Sequence, residues 1–299
     1  MDTKLACFGL GSMGFGMALS CMRAGLTVHG FDLDASRVES LVAAGGEEGS
    51  ETEIAGTLDA VVVVVLTAAQ VESVLFGVDG IVGNLREGAV VVACATVSPD
   101  FAKDMEARCA EAGVHYLDAP ISGGSVKAAD GRLTIMASGT AAAFEAAQPI
   151  LDASAETVLR LGDGAGAGSA MKAVNQLLAG VHIAAMAEAM TFGMTQGIQP
   201  ATFLDVISRC AGTSWMLENR APHVVAGDYT AHSQIDIWPK DLGIVLRTAA
   251  SAGFHAPLTE AALARYAIAV EMGLGQEDDA AIAKVYAREA DLALPGAKP

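Results

Sequence analysis

Residues 4–23 read KLACFGLGSMGFGMALSCMR, and this segment fixes the architecture expected for the first half of the chain. A short apolar run, Lys4–Phe8, is typical of a buried strand, and a helical pattern follows it. Between strand and helix lies a turn in the frame GxGxxG, made of Gly9, Leu10, Gly11, Ser12, Met13 and Gly14. In such a unit the first glycine permits the turn, the second admits a pyrophosphate, and the third lets helix pack against strand. The six residues are therefore predicted to bind a dinucleotide.

An acidic residue ends the next predicted strand, Thr27–Phe31. Asp32 lies 18 residues after Gly14, where a carboxylate can accept hydrogen bonds from both ribose hydroxyls. The same charge repels a 2′-phosphate, so NAD is favoured over NADP. Arg37, one helical turn further on, keeps NADP open as the less favoured cofactor. The alternative, that the glycines only form a turn and Asp32 only caps a helix, is disfavoured by the β-α-β context.

Short β-branched runs alternate with helical patterns from residue 4 to about residue 161. Several are apolar on both faces, as expected where helices cover both sides of a parallel sheet. The predicted strands are Lys4–Phe8, Thr27–Phe31, Ala60–Leu66, Ala89–Ala93, Val114–Leu117, Leu133–Ser138 and Thr157–Leu161. We therefore predict an α/β fold with a Rossmann-type, doubly wound parallel sheet.

The pattern changes at the glycine-rich segment GDGAGAG, residues 162–168. Beyond it the sequence reads almost entirely as helix, beginning with a long pattern rich in Ala, Met and Leu, Ser169–Gln196. We expect a dinucleotide-binding domain over residues 1–163 and an all-α domain over residues 164–299.

Composition excludes several classes of partner. The net charge of −17 repels nucleic acid. No uninterrupted apolar run is longer than Ala60–Leu66, whereas a membrane-spanning helix needs roughly 20 residues, so no membrane is expected. The five cysteines are scattered, without metal-ligand spacing. We expect a cytoplasmic protein without a metal.

Two further strand ends should border the dinucleotide, because ligands of open α/β sheets bind outside the carboxyl ends of the strands. Leu66 and Thr67 follow one predicted strand, and Thr96 follows another. These residues are candidate cofactor ligands. Ordinary N-capping of the next helix explains the two threonines equally well.

The candidate chemical site has two parts. The turn Ser122, Gly123 and Gly124 exposes backbone N–H groups that can hold a substrate carboxylate, although a plain hairpin loop is the alternative. Further on, Lys172, Asn175 and Gln176 occupy positions i, i+3 and i+4 of the long helix. Oxidation of an alcohol requires a group that takes the hydroxyl proton, and Lys172 is the candidate. The two amides would orient the substrate; a structural lysine that reaches water is the alternative.

Four motifs resemble those of the β-hydroxyacid dehydrogenases, the 3-hydroxyisobutyrate dehydrogenase family. They are GLGSMG (9–14), DAPISGG (118–124), GAGSAMKAVNQ (166–176) and KDLGIV (240–245). The resemblance implies NAD-dependent oxidation of a small hydroxy acid, with Lys172 as the catalytic residue. It also implies that Ser122–Gly124 and Asn175 bind substrate and that Thr96 and Lys240 touch the cofactor. One departure is Gln176, where the family commonly has a second asparagine.

Two segments, residues 175–190 and 213–220, are most similar to the L-threonate dehydrogenase branch, which would mean oxidation of a sugar acid at C2. The 3-hydroxyisobutyrate dehydrogenase and tartronate semialdehyde reductase activities stay open, as does a catalytically silent dinucleotide-binding module. An imine reductase is disfavoured because that group typically lacks the lysine. Relatives with this architecture imply a homodimer or homotetramer. Trp215 and Trp238 have two alternative positions, the active-site cleft and the core, of which the core is favoured. No role is assigned to them or to His182.

Overall fold

Five parallel strands form the main sheet, in the spatial order β2-β1-β3-β4-β5. The protein is seen in a computed structural model that describes residues 3–296. The strands are β1 (Lys4–Phe8), β2 (Thr27–Phe31), β3 (Ala60–Val63), β4 (Val90–Ala93) and β5 (His115–Asp118). Because β1 pairs with β2 on one side and β3 on the other, the strand order reverses beside β1. This reversal is where open α/β sheets bind their ligands.

Three more strands form a small mixed sheet, β6 (Ile121–Ser122), β7 (Leu133–Ala137) and β8 (Ala155–Arg160). β6 runs antiparallel to β7, whereas β8 runs parallel to it. A single bridge between Asp118 and Ser138 links β5 to the end of β7. The parallel Rossmann-type sheet is thus confirmed for five strands, and the last strands pair separately.

Helices cover both faces of the main sheet. They are α1 (Ser12–Arg23), α2 (Ala35–Ala43), α3 (Glu51–Ile54), α4 (Ala68–Phe76), α5 (Pro99–Glu111), α6 (Gly124–Asp130) and α7 (Ala141–Ser154), with 3-10 turns at Ala55–Thr57 and Val82–Asn84. Side chains of β1 alternate between two cores: Leu5 and Cys7 pack in one, Ala6 and Phe8 in the other. A strand buried on both faces has no polar side, which is why its sequence reads as a continuous apolar run.

Strands β1 and β2 have the predicted limits, whereas β3 ends at Val63 rather than at Leu66. The reason lies in the turn that follows. The backbone N–H groups of Leu66 and Thr67 donate to the side-chain oxygen of Gln70, in the first turn of α4, both at 3.0 Å. They therefore do not continue the strand ladder.

A second unit follows the first after Lys172, within the long helix α8 (Ala167–Thr195). The other helices are α9 (Pro200–Ile207), α10 (Trp215–Ala226), α11 (Ile237–Ser251), α12 (Pro257–Glu271) and α13 (Ala283–Glu289), with a 3-10 turn at Asp279–Ile282. They enclose a separate apolar core that includes Ile183, Met190 and Tyr266. Helices alone make up the regular structure described beyond residue 160, which confirms the all-α part. The limits 1–163 and 164–299 stay predictions.

The long helix also passes a length and composition test for a membrane span. α8 has no long uninterrupted apolar run, but its many Ala, Met and Leu residues make its mean hydropathy high. Half of its most apolar window is buried inside the protein. Core helices of soluble proteins pass the same test, so the absence of a membrane partner stays a prediction.

Candidate active site

The glycine turn after β1 uses its three glycines differently. Gly9 has a φ of +91°, and a Cβ atom there would lie 2.5 Å from the carbonyl oxygen of Val64. A Cβ atom on Gly14 would lie 1.8 Å from the carbonyl oxygen of Gly9. At Gly11 the nearest atom to such a Cβ is Nη1 of Arg37, 4.0 Å away. Gly9 therefore permits the turn, and Gly14 permits the close packing of helix against strand. The backbone of Gly11 is open to the approach of a ligand.

Backbone hydrogen bonds fix this turn at the sheet edge. The N–H of Gly9 donates to the carbonyl oxygen of Phe31 at 2.8 Å, and the N–H of Val64 donates to that of Phe8, also at 2.8 Å. The turn is thus held between β2 and β3, at the carboxyl ends of both strands. α1 begins at Ser12, so its free N–H groups face the same edge, as an anion site requires.

Asp32 is already part of a hydrogen-bonded arrangement. Its Oδ2 accepts from the N–H of Leu10 at 2.7 Å, and its Oδ1 accepts from the N–H of Asp34 at 2.9 Å. The guanidinium of Arg37 lies 3.4 Å from Oδ2. These contacts hold the carboxylate rigidly beside the glycine turn. Each carboxylate oxygen has two lone pairs, so acceptor capacity remains for a ribose hydroxyl.

A pocket of about 340 Å³ opens beside this carboxylate. Its lining residues are Leu10, Gly11, Ser12, Phe15, Arg37 and Ser40. The open backbone at Gly11, the helix N-terminus and the anchored Asp32 fit a dinucleotide: the first two suit its pyrophosphate and the third its ribose. Arg37 lines the pocket and pairs with Asp32 and, at 3.5 Å, with Asp34.

The structure separates the two candidate threonines. Thr67 is the N-cap of α4: its Oγ1 accepts from the N–H of Gln70 at 3.2 Å. Thr96 is not a cap, because Ser98 fills that role for α5. Capping therefore accounts for Thr67 and does not account for Thr96. Leu66 is 60% exposed at the same strand end as Thr67. A cofactor role for these three residues stays a prediction.

The turn Ser122–Gly124 joins a strand to a helix and is not a hairpin loop. Ser122 is the last residue of β6, and α6 begins at Gly124. Gly123 has a φ of +136° and Gly124 a φ of +81°, a backbone that residues with side chains rarely adopt. Two successive glycines are required here because both positions are left-handed.

Lys172 lies in the first unit beside this turn. The residue is only 8% exposed, and its Nζ donates to the carbonyl oxygen of Ile121 at 2.9 Å. Ile121 immediately precedes Ser122, so the structure brings Lys172 and the start of the turn together. The alternative of a lysine that extends into water does not hold for this buried side chain.

Asp118, the first residue of the motif DAPISGG, anchors the start of α8. Its Oδ2 accepts from the N–H groups of Gly166 (2.9 Å) and Ser169 (2.8 Å) and from the hydroxyl of Ser138 (3.2 Å). Its Oδ1 accepts from the hydroxyl of Ser169 at 2.7 Å. Burial raises the pKa of the Asp118 carboxyl above its ordinary value. Lys172 follows Ser169 by three residues, so this clamp sets where the lysine emerges.

A second polar arrangement lies in the helical unit. The Nδ2 of Asn175 donates to Oε1 of Gln176 at 3.0 Å, and Nε2 of Gln176 donates to Oδ2 of Asp241 at 2.6 Å. The Nζ of Lys240 lies 2.7 Å from Oδ1 of Asp241. Asp241 belongs to the motif KDLGIV, from which the sequence predicts a cofactor contact only for Lys240. An aspartate on an apolar helix face was the available signal, since buried carboxylates need partners.

The two tryptophans differ in burial. Trp238 is 3% exposed, donates from Nε1 to Asp279 and stacks on Tyr266, so it is a core residue. Trp215 is 60% exposed at the start of α10, which contradicts a core position. His182 is half-buried on α8. Across residues 3–296, no group of three or more His, Cys, Asp or Glu side chains is arranged to hold a metal ion.

The fold and the glycine turn define an NAD-binding dehydrogenase with a helical second part. Residues 4–162 match a family model described as the NAD binding domain of 6-phosphogluconate dehydrogenase. Residues 166–286 match one described as NAD-binding of NADP-dependent 3-hydroxyisobutyrate dehydrogenase. The chain belongs to the 3-hydroxyisobutyrate dehydrogenase family and is an NAD-dependent hydroxyacid dehydrogenase.

Relatives cover nearly the whole chain. L-threonate dehydrogenase from Cupriavidus necator is 46% identical over 297 residues, which is 99% of both proteins. L-threonate dehydrogenase from Escherichia coli K12 is 46% identical over 97% of this chain and 96% of its own. A crystal structure of 3-hydroxyisobutyrate dehydrogenase from Salmonella typhimurium superimposes with a TM-score of 0.89 at 47% identity, covering 95% of this chain and 100% of that one.

Proposed function

We propose that this enzyme oxidises L-threonate at C2 with NAD and that Lys172 handles the proton. The observation that carries the catalytic part is the buried amine of Lys172, 2.9 Å from the carbonyl oxygen of Ile121. The substrate assignment is supported by the 46% identity to L-threonate dehydrogenases over nearly the full chain.

Bound NAD supplies the hydride acceptor. The protein's own contribution is to hold the alcohol and to take its proton as the C–H bond is broken. In the oxidising direction the neutral amine of Lys172 accepts the hydroxyl proton, and in the reverse direction the ammonium returns it to a carbonyl oxygen. The hydrogen bond to Ile121 orients Nζ, which matters because proton transfer requires hydrogen-bond distance.

Ser122, Gly123 and Gly124 are proposed to bind the substrate carboxylate. Both glycines have positive φ angles and no side chain, so the proposal is that backbone N–H groups of this turn bind the anion, as in a backbone nest. Asn175 and Gln176 are proposed to contact the rest of the substrate. Gly9–Gly14, Asp32, Leu66, Thr67, Thr96 and Lys240 are proposed to contact the cofactor.

A second activity, oxidation of 3-hydroxyisobutyrate, is favoured by one observation. The solved structure that bears this name is 47% identical to the chain, as similar as the L-threonate dehydrogenases are. The two acids carry different hydroxyl groups, so measuring the enzyme's activity with each of them distinguishes the two assignments.

The test is an NAD-reduction assay at 340 nm with L-threonate, D-threonate, glycerate, 3-hydroxyisobutyrate and tartronate-related acids, each repeated with NADP. L-threonate with NAD is expected to give the highest kcat/KM. A higher value for any other acid would overturn the substrate proposal. No absorbance change with any acid would favour a silent dinucleotide-binding module instead.

We also propose a cytoplasmic homodimer or homotetramer. The helical unit exposes large apolar side chains on α8, including Val174, Leu178 and Phe192, which association of subunits would cover. The four buried cysteines carry free thiols, as a reducing compartment allows. Light scattering on the purified protein would contradict the assembly if it gave the mass of a monomer, 30.4 kDa.

A further inference from the structure

Asn175, Gln176 and Asp241 form a chain of side-chain hydrogen bonds in the helical unit. In each bond of this chain, which side chain donates is fixed. A carboxylate only accepts hydrogen bonds, and Asp241 is 2% exposed with the ammonium of Lys240 at 2.7 Å from Oδ1. The amide of Gln176 must therefore turn its nitrogen toward Asp241, where the distance to Oδ2 is 2.6 Å. This contact removes the usual freedom of a side-chain amide to present either atom.

The orientation of the Gln176 amide in turn fixes the orientation of the Asn175 amide. With Nε2 of Gln176 committed to Asp241, Oε1 is the atom that faces Asn175, and it accepts from Nδ2 at 3.0 Å. The oxygen and nitrogen of an amide point to different sides. The carbonyl oxygen Oδ1 of Asn175 is therefore turned away from Gln176. Asn175 follows Lys172 by three residues on α8, which puts both on one face of that helix.

We propose that Asp241 is a positioning residue that, through Gln176, makes Asn175 present its carbonyl oxygen to the substrate, so that the enzyme selects acids with a hydroxyl group able to donate to it. This inference rests on the proposed function, because it assumes that Asn175 contacts the substrate. It deepens that function by naming the feature selected, a hydroxyl that is not itself oxidised.

The glutamine at position 176 is what makes the chain of contacts reach. Its side chain is one methylene longer than the asparagine that the family motif commonly carries, and it spans from Asn175 to Asp241 on α11. A shorter amide at this position would not bridge the same two partners. The proposed positioning role thus explains both why position 176 is glutamine and why Asp241 is buried beside it.

Asp241→Asn tests the direction of the chain without changing its shape. The ammonium of Lys240, 2.7 Å from Oδ1, only donates, so the new amide would keep its oxygen toward Lys240 and turn its nitrogen toward Gln176. Gln176 would then present its oxygen to position 241 and its nitrogen to Asn175. Asn175 would reverse in turn and present Nδ2 to the substrate. A substrate hydroxyl would then accept from Nδ2, and its own hydrogen would be left without the acceptor that Oδ1 provides in the wild type.

The measurement is the ratio of kcat/KM for L-threonate to that for 2-hydroxybutyrate of the same C2 configuration, which lacks the hydroxyls at C3 and C4. Wild type is expected to favour L-threonate, and Asp241→Asn is expected to lower the ratio about tenfold or more, mainly through KM for L-threonate. Gln176→Asn should also lower this ratio, and it is the variant to measure if Asp241→Asn does not fold. Asp205→Asn, at an exposed ion pair with Arg209, is the matched control.

The outcomes separate the two proposals. If wild type oxidises neither acid, the proposed function fails. If wild type oxidises both acids without preference, or if the Asp241→Asn and Gln176→Asn proteins keep the wild-type ratio within about twofold, the positioning role is overturned and the dehydrogenase survives. A tenfold fall in Asp241→Asn, with Asp205→Asn unchanged, supports the positioning role.

Discussion

At position 14 only glycine fits, because there is no room for a Cβ atom. A Cβ atom there would lie 1.8 Å from the backbone oxygen of Gly9, far inside van der Waals contact, and the backbone would have to move. The same displacement would open the turn that is expected to hold the pyrophosphate. Position 14 is therefore constrained by packing as well as by cofactor binding.

Gly14→Ala is expected to lower the free energy of unfolding by about 3 kcal/mol or more, because overpacking against backbone cannot relax by a rotamer change. Gly83→Ala is the control: a Cβ atom there meets nothing within 4 Å, and the residue is exposed. Its effect should stay below about 0.5 kcal/mol. Urea unfolding followed by circular dichroism measures both. A Gly14→Ala protein with the wild-type midpoint would show that the turn adapts.

At the scale of the element, the start of α8 depends on Asp118. Four donors converge on this one carboxylate, from Gly166, Ser169 and Ser138. Since α8 carries Lys172 one turn further on, the clamp joins the end of β5 to the proposed catalytic lysine. The stability of the helix start and the position of the lysine are thus set by the same contacts.

Asp118→Ala should lower the free energy of unfolding by about 3 kcal/mol or more, because buried donors lose their acceptor. Asp118→Asn should cost less than about 1.5 kcal/mol. Its oxygen can replace Oδ2, and its amide can donate to the Ser169 hydroxyl, which also accepts. Urea unfolding at neutral pH ranks the two variants, and equal losses would contradict this account of the clamp.

The pH dependence follows from the raised pKa. Burial lifts the pKa of the Asp118 carboxyl above 3.8, so in the interval above that value the folded protein keeps a proton that the unfolded chain has lost. Wild type should therefore lose stability relative to Asp118→Asn as the pH rises through this interval, and the difference should then stay constant. A difference that is independent of pH would show that Asp118 ionises in the fold as it does in water.

The same scale shows what sequence patterns could predict. Strands β1 and β2 have the predicted limits because an apolar run ended by glycine or aspartate is a local signal. The two-residue strand β6 was missed, since it is too short to show any period. Its antiparallel pairing with β7 is likewise a choice of partner that no local pattern records.

At the scale of the whole molecule, the family and the cofactor could be predicted because their motifs are contiguous. The glycine turn, the Ser-Gly-Gly turn and the lysine helix each lie within a few residues. Asp118 and Asp241 were missed as functional residues because their partners are remote: Gly166 is 48 positions from Asp118, and Gln176 is 65 positions from Asp241. Hydrogen bonds of this range appear only once the chain is folded.

The central claim is that Lys172 is the acid–base group of the reaction. Lys172→Met tests this claim while keeping the buried volume filled. Turnover of the best acid in the panel should fall by about 10²- to 10⁴-fold, the usual worth of a positioned acid–base group, whereas the Kd for NAD measured by calorimetry should change little. Lys103→Met removes an exposed lysine and should keep full turnover. If Lys172→Met turned over at the wild-type rate with NAD bound normally, the proton would have another acceptor and the proposed mechanism would be wrong.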